Sequence, residues 1–278
     1  MYKRSIPASV SATPRANDET LVSLLRCPSC RQRLQRGPGS LDCVGCGRRS
    51  PLPPDVDLVA ATEPVRTLGA GFWRSRLAAR IYQRFWRPLT FGLSSGLSKP
   101  SFEREAELVL ARLERCEGPW LDLACGPGAL AERMLARAPE RLVIASDLSR
   151  AMLQEAAKRS RAFRVRADAL HLPFVDGAFG AIVNLAALDL YPDPEAALHE
   201  CLRVLKPGGA WLGSSFVWPE RWLRWARRWP IAPLLSQSGA HGLTSDMLCH
   251  LLRRVGFTAL EQRAFGAYLL VWAEKPSA

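Results

Sequence analysis

The sequence predicts an α/β chain in which a parallel sheet flanked by helices follows a small cysteine-rich module. Three observations carry that prediction. From Glu103 onward, short apolar runs alternate with helical patterns, as βαβ units do. One of those runs, Trp120-Leu121-Asp122-Leu123, leads straight into the glycine-rich turn Ala124-Cys125-Gly126-Pro127-Gly128. Ahead of both stand two Cys-x-x-Cys pairs, Cys27/Cys30 and Cys43/Cys46.

Composition bounds the rest. With 278 residues, 48% of them apolar, the chain can bury a sizeable core. No apolar stretch reaches the ~18–20 residues of a membrane-spanning helix, and the N-terminal segment lacks the apolar stretch of a secretory signal. Residues 1–22 read as a solvated, disordered tail. The net charge of +12 is spread unevenly. Residues 71–100 carry 6 basic and no acidic side chains, whereas residues 101–215 carry 14 basic and 16 acidic ones. A near-neutral core between cationic flanks suits an acidic or amphiphilic partner: phosphates, lipid headgroups or RNA. A merely solvated, Arg-rich surface is the plainer alternative. Of the 8 cysteines, four are clustered and four scattered. That usage points to a reducing compartment and a cytoplasmic protein.

The module at residues 23–62 is expected to be a zinc ribbon. Each Cys-x-x-Cys pair can wrap its backbone around one edge of a metal, and the residues between Cys30 and Cys43 suffice for a short hairpin. Four thiolates, Cys27, Cys30, Cys43 and Cys46, describe a closed tetrahedral Zn2+ site of the structural kind. So small a fold has too little core to stand without such a staple.

The glycine-rich turn predicts a cofactor. Its glycines let the backbone approach a ligand closely, and the helix that follows offers free N–H groups. Alone it is weak evidence, because nicotinamide and flavin enzymes use such a turn too. Further acids sharpen the reading. The apolar run 141–147 ends in Asp147, at a distance from Gly128 that fits a carboxylate gripping ribose hydroxyls. The run 164–168 ends in Asp168, and Arg203-Val204-Leu205-Lys206-Pro207-Gly208-Gly209 closes a helix before a strand at 210–215.

The stretches "LDLACGPG", "ASDLSRAML", "ADALHLPF" and "RVLKPGG" resemble, in order and spacing, the type-11, ubiquinone/menaquinone C-methyltransferase-like family, over residues 103–278. The resemblance implies a Rossmann-like seven-stranded methyltransferase sheet that binds S-adenosyl-L-methionine. It implies that Asp122 contacts the methionine amine, Asp147 the ribose and Asp168 the adenine amine, with Met152 packed on the adenine. Ala124, Gly126 and Gly128 in the turn, and Leu148 and Ala169 beside the acids, complete the expected cofactor set. Two positions depart from the family pattern: Ala124 stands where Gly is usual, and Gly180 where Asp is usual. From the ribbon onward the order of segments also looks like uncharacterised plastid and bacterial methyltransferases that join a zinc ribbon to such a core.

The flanks add expectations of their own. Residues 63–102 read as a basic, aromatic linker or lid, in which a helix at 73–87 sets Arg76, Arg80, Arg84 and Arg87 opposite Leu77, Ile81 and Phe85. A Trp- and Arg-rich insertion at 217–243 reads as a substrate cover, with Trp222, Trp225 and Trp229 on one helical face. The same pattern also fits a helix lying on an anionic membrane surface, or plain core packing.

The expected chemistry is C- or O-methylation of a small, lipophilic or aromatic acceptor by in-line displacement, in which alignment does most of the work. Candidate bases are Asp189 and His241, with Tyr191 and His199 behind them; a reaction with no dedicated base stands beside these. His171 is expected near the adenine. The alternative acceptor is an rRNA guanine, because a known group of such enzymes joins a four-ligand ribbon to this core, and cationic flanks favour RNA. Those enzymes follow their ribbon with a Lys-Glu-Gly-Tyr-like segment, where this chain has Pro51-Leu52-Pro53-Pro54.

Overall fold

A computed structural model describes residues 14–59, 101–217 and 243–277. The lid at 63–102 except its last two residues, the cover after Val217, and His241 lie outside the described residues.

The N-terminal module begins earlier than its cysteines suggest. Residues 14–22, expected in a disordered tail, belong to helix α1 (Pro14–Leu24). The reason is apolar burial: Leu21 and Leu25 are completely buried, and Arg36 pairs with Asp18 at 2.9 Å. Three short antiparallel strands follow, β1 (Leu34–Arg36), β2 (Leu41–Cys43) and β3 (Arg49–Ser50), in the order β1-β2-β3. Then β4 (Asp55–Asp57) leaves the ribbon and joins the large sheet.

That large sheet is built from apolar runs covered on both faces, which is why its strands lack polar alternation. β5 (Trp120–Leu123), β6 (Val143–Asp147), β7 (Phe163–Arg166) and β8 (Phe179–Leu185) pair in parallel. β9 (Leu205–Phe216) lies parallel to β8, interrupted by a register shift where Lys206, Pro207 and Gly208 stand exposed. β10 (Thr258–Phe265) and β11 (Tyr268–Glu274) form an antiparallel hairpin at the far edge. The full order is β10-β11-β9-β8-β5-β6-β7-β4. Seven of these strands make the expected sheet; the eighth, β4, is new. Its register puts Asp55 opposite Arg164 and Asp57 opposite Arg166, so each acid of the short strand meets an arginine. An otherwise open edge strand is thereby paired and covered.

Five helices flank the sheet: α2 (Phe102–Leu113), α3 (Ala129–Arg137), α4 (Arg150–Ala157), α5 (Pro194–Val204) and α6 (Ser245–Val255). Ser101, Ser149, Asp193 and Thr244 cap four of them by accepting a hydrogen bond from the backbone N–H three residues on. Strand alternation sorts the core into two layers. Trp120, Val143 and Ala145 pack with α2 and α3, whereas Leu121, Ile144 and Val165 pack with α5 and α6. Leu25, Cys27, Leu41 and Val56 of the ribbon belong to the second layer, so ribbon and sheet share one core. The departure at Gly180 also has a structural reason: a Cβ there would lie 1.7 Å from the Glu117 carbonyl oxygen.

Candidate cofactor and metal sites

The carboxyl ends of β5, β6 and β7 carry the three predicted acids, and the turn after β5 threads between the first two. Ala124 takes φ 55 and Gly128 φ 75, so the chain reverses sharply before α3. Left-handed backbone strains an alanine by ~1–2 kcal/mol, which accounts for the usual glycine at position 124. Gly128 has a different reason: a Cβ there would stand 2.6 Å from the Ala156 Cβ of α4.

The acids occupy the donors of the turn. Asp122, buried on β5, accepts from the Ala131 N–H in the first turn of α3 at 3.0 Å. Asp147 accepts from the Gly126 N–H at 2.9 Å and from the Ser149 N–H at 2.8 Å. Burial raises its pKa against those bonds. Asp168 accepts from the Leu170 N–H at 3.0 Å and stands 3.9 Å from the exposed His171 ring. Met152 is buried in the first turn of α4, Ala169 is buried beside Asp168, and the Leu148 carbonyl accepts from Arg166 Nε at 2.9 Å. Between Asp122 and Asp147, burial first and then the two charges push the Cys125 thiol well above its ordinary range.

This arrangement discriminates between cofactors. A dinucleotide's diphosphate needs the N–H groups of the turn and is repelled by acids. Here Asp122 and Asp147 already hold those groups, and the three carboxylates attract a ligand carrying a sulfonium and an amine. Residues 121–212 match the family model described as a methyltransferase domain. The chain is an S-adenosylmethionine-dependent methyltransferase. It is 27% identical, over 95% of its length and 81% of the relative's, to an uncharacterized chloroplastic methyltransferase of Arabidopsis thaliana. It is 40% identical to a demethylmenaquinone methyltransferase of Thermus thermophilus, over 39% of this chain and only 52% of that relative. Its fold is that of a Haemonchus contortus phosphoethanolamine N-methyltransferase solved with S-adenosyl-L-methionine, at a TM-score of 0.55 and 15% identity, over 74% and 60% of the two chains.

The predicted bases separate. Asp189 lies in a short 3-10 turn (Leu188–Leu190) after β8, buried, and accepts from Ser215 Oγ at 3.3 Å. Tyr191 accepts from Asn184 Nδ2 at 2.8 Å, and burial holds its phenol well above the ordinary value, so it stays protonated. His199 is exposed on α5.

Three site residues escaped the sequence reading. Asn184, buried on β8, ties Tyr191 to the Leu123 carbonyl (2.9 Å) at the end of β5. Glu105 is completely buried on α2 and accepts from the Tyr268 hydroxyl, which meets Ser214 Oγ at 2.5 Å; that oxygen accepts in turn from the Ala186 N–H at 3.0 Å. The network fixes the loop that carries Asp189. A signal existed: Glu105 interrupts the apolar stripe of Ala106, Val109, Leu110 and Leu113.

In the ribbon, the four cysteine sulfurs lie within 4.8 Å of one another. Cys27 and Cys46 approach to 3.6 Å and Cys30 and Cys43 to 3.3 Å, near the roughly 3.8 Å edge of a tetrahedron with ~2.3 Å Zn–S bonds. The Cys46 N–H, outweighing desolvation together with the Gly45 N–H, lowers the Cys43 pKa to about 6, favouring the thiolate a metal needs. The donor set therefore fits a zinc ion.

Proposed function

We propose that this methyltransferase moves a methyl group to carbon or oxygen of a small lipophilic phenol or quinol, and that Cys27, Cys30, Cys43 and Cys46 hold a structural Zn2+. The relatives named for menaquinone and ubiquinone methylation support the acceptor class. The observation that carries the reading is the trio of strand-end acids around a turn whose donors are already used.

The cofactor supplies an electrophilic methyl on a positively charged sulfur, so the protein has to bind, align and dehydrate. Asp122 takes the amine of the methionine part, Asp147 the ribose diol and Asp168 the adenine amine, with Met152 on the ring. The acceptor sits at the ends of β8 and β9, where the Glu105–Tyr268–Ser214 network fixes the wall. Asp189 takes the proton released when the acceptor's C–H or O–H is replaced by the new bond to methyl. Sulfur keeps the electron pair of its broken bond and becomes neutral.

Calorimetry with S-adenosylhomocysteine tests the cofactor assignment. Asp147→Ala should weaken binding at least 100-fold, a loss of about 2.7 kcal/mol; unchanged affinity refutes the ribose assignment. Transfer of a labelled methyl to demethylated quinols or phenols supports the acceptor class. Transfer to ribosomal RNA alone would overturn it.

A further inference from the structure

The ribbon grips both sides of the segment that bears Asp168. Before it, β4 pairs with β7: Arg164 N–H donates to the Pro54 carbonyl at 2.7 Å and Leu58 N–H to the Arg166 carbonyl at 2.8 Å. After it, the strand entering the first cysteine knuckle takes over. Val175 N–H donates to the Leu24 carbonyl and Arg26 N–H to the Pro173 carbonyl, both at 2.8 Å. Leu25 and Phe174, opposite each other there, are completely buried.

One side chain extends this grip from the knuckle itself. Arg31 follows Cys30 and has φ 60, a conformation that side chains resist and the knuckle imposes, its N–H donating to the Cys27 carbonyl at 2.9 Å. From that position Arg31 Nη1 donates to the Leu172 carbonyl at 2.9 Å and its guanidinium lies 3.6 Å from Glu200. Glu200 accepts from the Leu172 N–H at 2.7 Å, and Arg203 donates to the carbonyls of Leu172 and Phe174. The segment from 168 to 171 is thus a short span strung between two anchors, each attached to the ribbon.

We infer that the metal-loaded ribbon is part of the cofactor site: Cys27 and Cys30 shape the knuckle, Arg31 and the 24–26 backbone hold residues 172–175, and these set the adenine-binding position of Asp168. Arg31 is a positioning residue in this scheme. The inference rests on the proposed roles of zinc and Asp168. It predicts that metal loss weakens cofactor binding although no cysteine touches the cofactor.

The test uses the full chain. S-adenosylhomocysteine affinity is measured on zinc-loaded, chelator-stripped and zinc-reloaded protein, alongside hydrogen exchange of the backbone amides. Stripping should weaken binding at least 10-fold, reloading should restore it, and protection should fall at residues 168–175 while β5 and α3 keep theirs. Arg31→Met guards against global unfolding of the stripped protein. It should retain its zinc, bind S-adenosylhomocysteine about 3- to 10-fold more weakly and exchange faster at residues 170–175, with Arg31→Lys intermediate. Equal affinity and exchange in Arg31→Met and wild type would overturn the inference. Failure of the loaded wild type to bind would instead overturn the cofactor reading on which it stands.

Discussion

Adding one methyl group at Gly128 should destabilise the whole domain. The alanine Cβ would stand 2.6 Å from the Cβ and 3.0 Å from the Cα of Ala156. Ordinary carbon contacts lie at ~3.5–4.0 Å, so α4 has to retreat by about 1 Å. Overpacking of that kind costs about 1–3 kcal/mol. The φ of 75 at this position adds left-handed strain of ~1–2 kcal/mol. The expected loss is therefore roughly 2–5 kcal/mol, out of a typical total of ~5–15 kcal/mol. In a thermal melt that is a drop of roughly 4–20 °C. Urea denaturation followed by circular dichroism measures the free energy directly. Gly39→Ala is the control, since no atom lies within 4 Å of its Cβ position; it should stay within ~0.5 kcal/mol of wild type. Ala156→Gly placed in the Gly128→Ala background removes the clash but not the strain, so the pair should couple favourably by about 1–3 kcal/mol. A stable Gly128→Ala protein, or strict additivity in the double variant, would refute the packing argument.

Other predictions bear on the polar framework. Glu105→Ala leaves the buried Tyr268 hydroxyl without its carboxylate and should cost about 1–3 kcal/mol by the same denaturation assay, while Glu105→Gln, which keeps an acceptor, should recover most of it. Glu200 is partly desolvated, but Arg203 and then Arg31 lower its pKa below the ordinary carboxylate value. Its stabilisation is therefore fully present above the unfolded pKa of ~4.3 and lost as pH falls through the lower folded value. Glu200→Gln should accordingly lose about 1–2 kcal/mol at pH 7, with the gap to wild type closing at strongly acid pH. A pH-independent gap would show that the charge is not what matters.

Much of the site was legible because its chemistry is local. Asp122, Asp147 and Asp168 each end an apolar run, and a parallel strand delivers its last residue to the same edge of the sheet as its neighbours. The cysteine knuckles were legible for the same reason, since four residues wrap one corner of a metal site. The 14–22 segment misled because its polar residues outnumber its apolar ones; Leu21 and Val22 matter only once a surface exists to receive them. Asp189 was placed correctly after β8, but its burial against Ser215 depends on a strand 26 residues away in sequence.

What the sequence determined by itself was the class of fold, the cofactor and the metal ligands, because strand periodicity, acid-ended strands and Cys-x-x-Cys spacing act over a few residues. What only the tertiary structure decided was how the two parts join. A three-residue strand flanked by prolines has no periodicity to read, and β4 exists because β7 offers an open edge with Arg164 and Arg166 in register with Asp55 and Asp57. The Glu105–Tyr268–Ser214 network likewise spans 163 residues. Such pairings come from closing long loops onto a finished sheet, and no local pattern records that closure.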